Sequence, residues 1–168
     1  MRFLPAFTLA LGLVAFATAA RAHDLNVGDL ELGHPWIAEA PPGAPTAAGY
    51  LVITNVGETA DRLLAVRCAF AERAEIHEMA IDDAGVMQMR PLPQGLEIPG
   101  SGTVTLERGG FHLMFMHVME RPEAGDMIPV TLVFEHAGEV EAMFMVQKAA
   151  DGGMEMDGEM DMEMESGQ

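Results

Sequence analysis

Glycine and proline recur about every ten residues along most of the chain, so no stretch can sustain a helical period. What lies between them alternates apolar and polar residues over short runs, the pattern of strands that each bury one side. Leu25, Val27, Leu30 and Leu32 form a first run interrupted by Gly28-Asp29, followed by His34-Pro35-Trp36 and a loop over 41–45. Further strands are expected over 48–55, 62–68 and 73–81, with a turn at Asp82-Asp83-Ala84-Gly85 that folds 86–90 back as a hairpin partner. Pro91, Pro93, Gly95, Pro99 and Gly100 make the next stretch irregular. Strands then follow over 103–106 and 111–119, and a terminal hairpin over 128–135 and 140–146. A short helix competes with strand only near 65–74. The pattern points to an antiparallel β-sandwich.

The ends differ in kind from this middle. Arg2 precedes an almost unbroken apolar run from Leu4 to Ala19, and Ala20-Arg21-Ala22 has the small-x-small form of an export cleavage site. Residues 1–22 read as a signal peptide, and the mature chain is expected to start at His23 outside the cytoplasm, in the periplasm. No later apolar stretch is long enough for stable membrane insertion. The β-domain is expected over 23–150. Residues 151–168 hold seven acidic residues, five methionines and no positive charge, so they read as a disordered Met/Asp/Glu-rich tail.

The formal net charge is −17, and cleavage would remove Arg2 and Arg21, leaving 7 basic against 26 acidic side chains. Such a chain lacks the clustered Lys and Arg that nucleic acid or an anionic membrane surface requires. Cys68 is the only cysteine, which rules out an internal disulfide or a CxxC redox motif. It reads as a small buried residue, because no His or Met lies near it at the spacing of a blue-copper loop.

The chemistry concentrates in 111–119, Phe-His-Leu-Met-Phe-Met-His-Val-Met. On a strand, His112, Met114 and Met116 share one face while Phe111, Leu113, Phe115 and His117 take the other. Imidazole with thioether suits a soft metal such as Cu(I); the competing reading is a core strand in which Met fills gaps. Two further segments repeat the pattern, His77 with Met79 and Met87 with Met89, each pair on one face of its strand.

Glu75-Ile-His77-Glu-Met79, Gly85-Val-Met-Gln-Met89-Arg-Pro91 and Gly109-Gly-Phe-His112-Leu-Met114 together resemble the PCu(A)C family of periplasmic copper chaperones. That family carries a His, a Met twelve positions on, about twenty-one residues, then His-x-Met. Here twenty-two residues separate Met89 from His112, one more than the pattern. The likeness extends to His34-Pro-Trp36, Gly49-Tyr50 and Arg121-Pro122. It implies a cupredoxin-like Greek-key sandwich holding one Cu(I) through His77, Met89, His112 and Met114. It also implies delivery to an acceptor such as the binuclear copper centre of cytochrome c oxidase, with a thioredoxin-like assembly factor as a further partner. Neutral imidazole and thioether donors suit a monovalent soft ion, and a site without thiolate releases it more readily.

The remaining candidates are weaker. Met79, Met87 and Met116 read as supporting or packing residues, with Met87 the main rival to Met89. His117 reads as a surface residue, Met143 and Met145 as core, and His34 as a residue that orders the loop before Trp36. His23, with its free amine, is a candidate Cu(II) chelator. Met154, Met156, Met160, Met162 and Met164 of the tail are candidate auxiliary copper ligands, beside carboxylates available to Cu(II). Two alternatives therefore stand beside a chaperone: a storage or tolerance protein working through its tail, and an oxidative copper enzyme built on His23.

Overall fold

The computed structural model describes residues 25–81 and 85–148. The expected signal peptide, His23, the turn residues Asp82, Asp83 and Ala84, and the tail with Met154, Met156, Met160, Met162 and Met164 lie outside the described residues.

Among the described residues, eleven strands account for the regular structure. They are β1 (Leu25–Val27), β2 (Leu30–Ala38), β3 (Thr46–Asn55), β4 (Asp61–Cys68), β5 (Ala71–Ile81) and β6 (Met87–Pro91). β7 (Leu96–Ile98), β8 (Thr103–Leu106), β9 (Phe111–Val118), β10 (Met127–Phe134) and β11 (Glu139–Gln147) complete the set. The hydrogen-bonded order is β6-β5-β9-β8-β3-β2-β11-β10-β4-β7, with β1 on β2 and a second pairing of β9 with β3. The all-β sandwich expected from the punctuation is what forms. Two pairings are parallel, β11 with β2 and β8 with β9, so the sheet is mixed where a wholly antiparallel one was expected.

Alternation explains the core. In β11, Val140, Ala142, Phe144 and Val146 point inward and are buried, while Glu139, Glu141, Met143 and Met145 point out. Met143 and Met145 are therefore surface residues, not the core residues expected; Phe144 between them and its inward neighbours Ala142 and Val146 fill the interior. The inward residues of the other strands, including Leu32, Ile37, Leu51, Ile53, Leu63, Leu113, Phe115 and Leu132, join the same hydrophobic cluster.

Three local readings change. No helix forms over 65–74; β4 runs into β5 through a two-residue turn at 69–70. Leu96–Ile98, expected to be irregular, is a short strand on β4. His34-Pro35-Trp36 lies within β2 and not before a loop; the register slips there, Gly33 facing Val52 and Trp36 facing Tyr50. His34 sits at a φ of 47° in that irregularity, exposed to solvent.

One buried carboxylate ties the far hairpin down. Asp61 accepts N–H bonds from Arg62 (2.7 Å), His136 (2.9 Å) and Ala137 (3.0 Å). Burial alone would raise its pKa, but these donors outweigh it and hold the carboxyl below its ordinary value. Asp61→Ala should cost about 2–3 kcal/mol, because buried N–H groups lose a charged acceptor. A native pKa below the unfolded one means this stabilisation is full above the ordinary carboxylate pKa and is lost as pH falls through the native value. Urea titrations should show the parent losing this advantage over Asp61→Ala in acid; parallel curves at every pH would contradict the assignment.

Candidate metal centre

Strands β6, β5 and β9 lie side by side and bring the three sequence segments onto one outer face. β9 serves both layers: Leu113 and Phe115 enter the core, and His112, Met114 and Met116 face outward. β5 pairs with β9 so that His77 lies directly opposite His112, Glu75 opposite Met114 and Arg73 opposite Met116. β6 pairs with β5 so that Met89 lies opposite Met79, Pro91 opposite His77 and Met87 opposite Ile81.

The two histidines are the buried centre of this face, with His77 9 % and His112 4 % exposed. Their ring centroids are 5.7 Å apart in an edge-on arrangement. His77 Nε2 lies 2.8 Å from Glu75 Oε2, so an ionised Glu75 selects the tautomer with the proton on Nε2. That leaves Nδ1 as a lone pair, and it is buried without a hydrogen-bond partner. Nδ1 of His112 lies 3.2 Å from the Gly110 carbonyl and can only donate to it, which frees Nε2. Each imidazole thus has one nitrogen oriented by the protein and the other left as a lone pair. Burial, helped by the neighbouring His77 and opposed by the Gly110 carbonyl, pushes the His112 pKa below its ordinary value.

The thioethers surround this pair at graded distances. Met114 is two residues from His112 on β9, and Met79 two residues from His77 on β5. Met89 is two residues beyond Pro91, the residue facing His77, which at a strand's rise is an offset of about 7 Å. Met87 is twice as far along, about 13 Å, and points out beside the exposed Ile81. Met116 is occupied otherwise, since Arg73 Nη2 lies 3.4 Å from its sulfur. Met89 is 45 % exposed, so the centre opens to solvent on its β6 side. His117, at a φ of 53°, is exposed and sits 3.8 Å from a Glu72 carboxylate oxygen, away from the pair. Cys68 is only half-buried, its thiol pKa raised by that burial, and it lies on β4, outside these strands.

Among the described residues no three His, Cys, Asp or Glu side chains gather as a metal cluster. The side chains nearest in register to the two histidines on this face are Glu75 and the thioethers of Met79, Met89 and Met114. Sequence reasoning missed the role of Glu75, although its parity with His77 was readable. It also missed the neighbouring aromatic group. Ala48 on β3 faces Met114, and Tyr50, two residues on, is on the same side and packs on Trp36 with centroids 4.6 Å apart. The Arg108 guanidinium stands 5.5 Å over Trp36. Burial raises the Tyr50 pKa against the opposing charge and hydrogen bond of Arg108. Arg108 comes from the β8–β9 connection, and nothing in its local sequence signals that neighbourhood.

Known proteins share this architecture. The LpqE-like family model matches residues 30–146. The solved apo PCuAC domain from PmoF1 is 32 % identical, with a TM-score of 0.65, over 75 % of this chain and 99 % of that one. The copper-bound PCuAC domain from PmoF2 is 27 % identical, with a TM-score of 0.64, over 75 % of this chain and 98 % of that one. The solution structure of the Cu(I) form of DR1885 from Deinococcus radiodurans is 27 % identical over 79 % of this chain and 86 % of that one, with a TM-score of 0.58. The chain belongs to the LpqE-like family, and the domain it folds into is a PCuAC domain.

Proposed function

We propose that this protein is an exported copper chaperone, holding one Cu(I) through His77, Met89, His112 and Met114 and passing it on by ligand exchange. The observation that carries this reading is the His77–His112 cross-strand pair, each ring with one nitrogen tied and one free, beside Met114 and Met89. The copper-bound relatives support copper as the cargo. The leader-like residues 1–22 support action in the periplasm, and the acceptor we infer is the binuclear copper centre of cytochrome c oxidase or an assembly factor of thioredoxin type. The tail methionines would collect copper for the core site. Exposure of Met89 suits transfer, since an acceptor's ligand can approach from that side while the buried histidines still hold the ion.

The direct test is X-ray absorption on the copper-loaded protein with Met89→Leu and Met87→Leu compared. Met89→Leu should lower the sulfur count by one and weaken Cu(I) binding, while Met87→Leu changes neither. The reverse result would transfer the ligand role to Met87, and an unchanged spectrum in both would point to Met79 instead.

The pH dependence follows from imidazole chemistry. Only the neutral ring binds, and its ordinary pKa is about 6.5. Because the His112 pKa is depressed, proton competition at that ring begins below the free-imidazole value. Cu(I) affinity should be level above neutrality and fall in mild acid. For the metal-free protein the same sign holds, because the unfolded chain takes up the His112 proton first and stability declines as pH drops below about 6.5. Affinity that stays level through pH 5 in a competition titration would exclude histidine ligation.

A further inference from the structure

A second group of sulfurs lies on the hairpin of β10 and β11, three strands from His112 by way of β3 and β2. Met127 faces Met145 directly, and Met143, facing Pro129, is two residues from Met145 on the same side. All three are exposed, at 45 %, 44 % and 46 % for Met127, Met143 and Met145. The core behind them is already filled by Val140, Ala142, Phe144 and Val146. The Met145 sulfur accepts a long, exposed contact from the Gln147 side-chain amide at 3.8 Å, which an ion would have to displace. Every large apolar residue exposed on these two strands is methionine.

Directly opposed residues on antiparallel strands place their Cβ atoms about 5 Å apart, and diagonal neighbours about 7 Å apart. Three unbranched, flexible side chains starting from those points can bring their sulfurs onto one ion. The β4 ladder on β10 begins only at Val130, so the hairpin end bearing Met127 has no β4 pairing beside it. Glu141 faces Thr131, on the same outer side two residues beyond Met143, and adds negative charge nearby. Its hard carboxylate leaves soft-ion binding to the thioethers.

We propose that Met127, Met143 and Met145 form a second, all-thioether site for Cu(I), separate from the histidine centre. It is weaker, because it is exposed, uses one donor fewer and has no imidazole. Its place beside Trp36, which faces Met145 across the β2–β11 pairing, puts it on the same outer surface as the main centre. At equilibrium it fills after the tighter centre and holds further copper at low affinity.

The test is a Cu(I) titration of the full mature protein under reducing, oxygen-free conditions, followed through the carbon-13 methyl signals of methionine. Assignment comes from single Met→Leu variants, which keep size and apolar character while removing sulfur. The expected result is that the signals of Met127, Met143 and Met145 move together, after those of Met89 and Met114. In Met127→Leu the other two should respond only at higher copper. The proposal is overturned if the three signals stay at their metal-free positions while tail signals shift, or if each responds independently of the others. Repeating the titration on His77→Ala/His112→Ala separates the two readings: the β10–β11 response must survive there even though the main centre is gone. Unchanged thermal unfolding of the leucine variants establishes that sulfur and not packing was removed.

Discussion

His77→Ala/His112→Ala should abolish tight Cu(I) binding while leaving a folded domain. Both rings sit on the outer face of their strands, and the core behind them is made by Ile76, Leu113 and Phe115. Losing a mere outer partner of a metal ligand costs roughly 10–100-fold in affinity. Removing two of the four proposed donors should exceed that range by a wide margin, leaving only the thioethers. A competition titration against a Cu(I) chelator measures the loss, with His117→Ala as the control that should change nothing. Glu75→Gln should fall between them, since Nε2 of His77 keeps an acceptor but not a charged one. A double variant that binds like the parent would end the assignment of this face as the copper centre.

Phe115→Ala should be the most destabilising single truncation near the site, at about 3–5 kcal/mol. Phe115 is fully buried, its ring 4.8 Å from that of Phe70, and Gly49 on β3 lies against its edge. A Cβ added at Gly49 would stand 2.8 Å from Phe115 Cε2, so the absence of a side chain there lets the ring in. Phe115 is thereby the residue that seats β9 between β3 and β5, and His112 and Met114 ride on its other face. Denaturant unfolding should show the full loss. Cu(I) should partly restore the variant's melting temperature, because an ion that binds only the folded state stabilises it. Gly49→Ala approaches the same contact from the other side and should destabilise by about 1–3 kcal/mol through overpacking. A Phe115→Ala protein as stable as the parent would mean that β9 is held by its hydrogen bonds alone.

How far these features were legible differs by element. Strands were readable where the period of two is plain, as in β8 (Thr103–Leu106), or where turn residues bound a short apolar run, as Pro45 and Gly57 bound β3. β7 was not, since three residues between Gly95 and Pro99 carry too little pattern, and its strand form depends on pairing with β4. The inner side of β11 was misread for Met143 and Met145 because both of its faces are apolar over 142–146. Which face turns inward was decided by packing, where Phe144 and Val146 fit the interior and the longer thioethers were left outside. At the proposed metal centre, the spacing of His77, Met89, His112 and Met114 was visible along the chain, but Met87 and Met89 share a parity and could not be separated by it. Pairing of β6 with β5 makes the difference, placing Met89 nearer to His77 by one pleat.

By itself the sequence determined the residue types of the centre, their alternation on strands and the all-β class, because these depend on local order along the chain. Only the tertiary structure decided that His77 meets His112 across a ladder, that Glu75 ties one ring nitrogen and that Trp36, Tyr50 and Arg108 border the site. It also brought Met127 to Met145. These are matters of register between strands distant in sequence, and register follows from which side chains the shared core accepts.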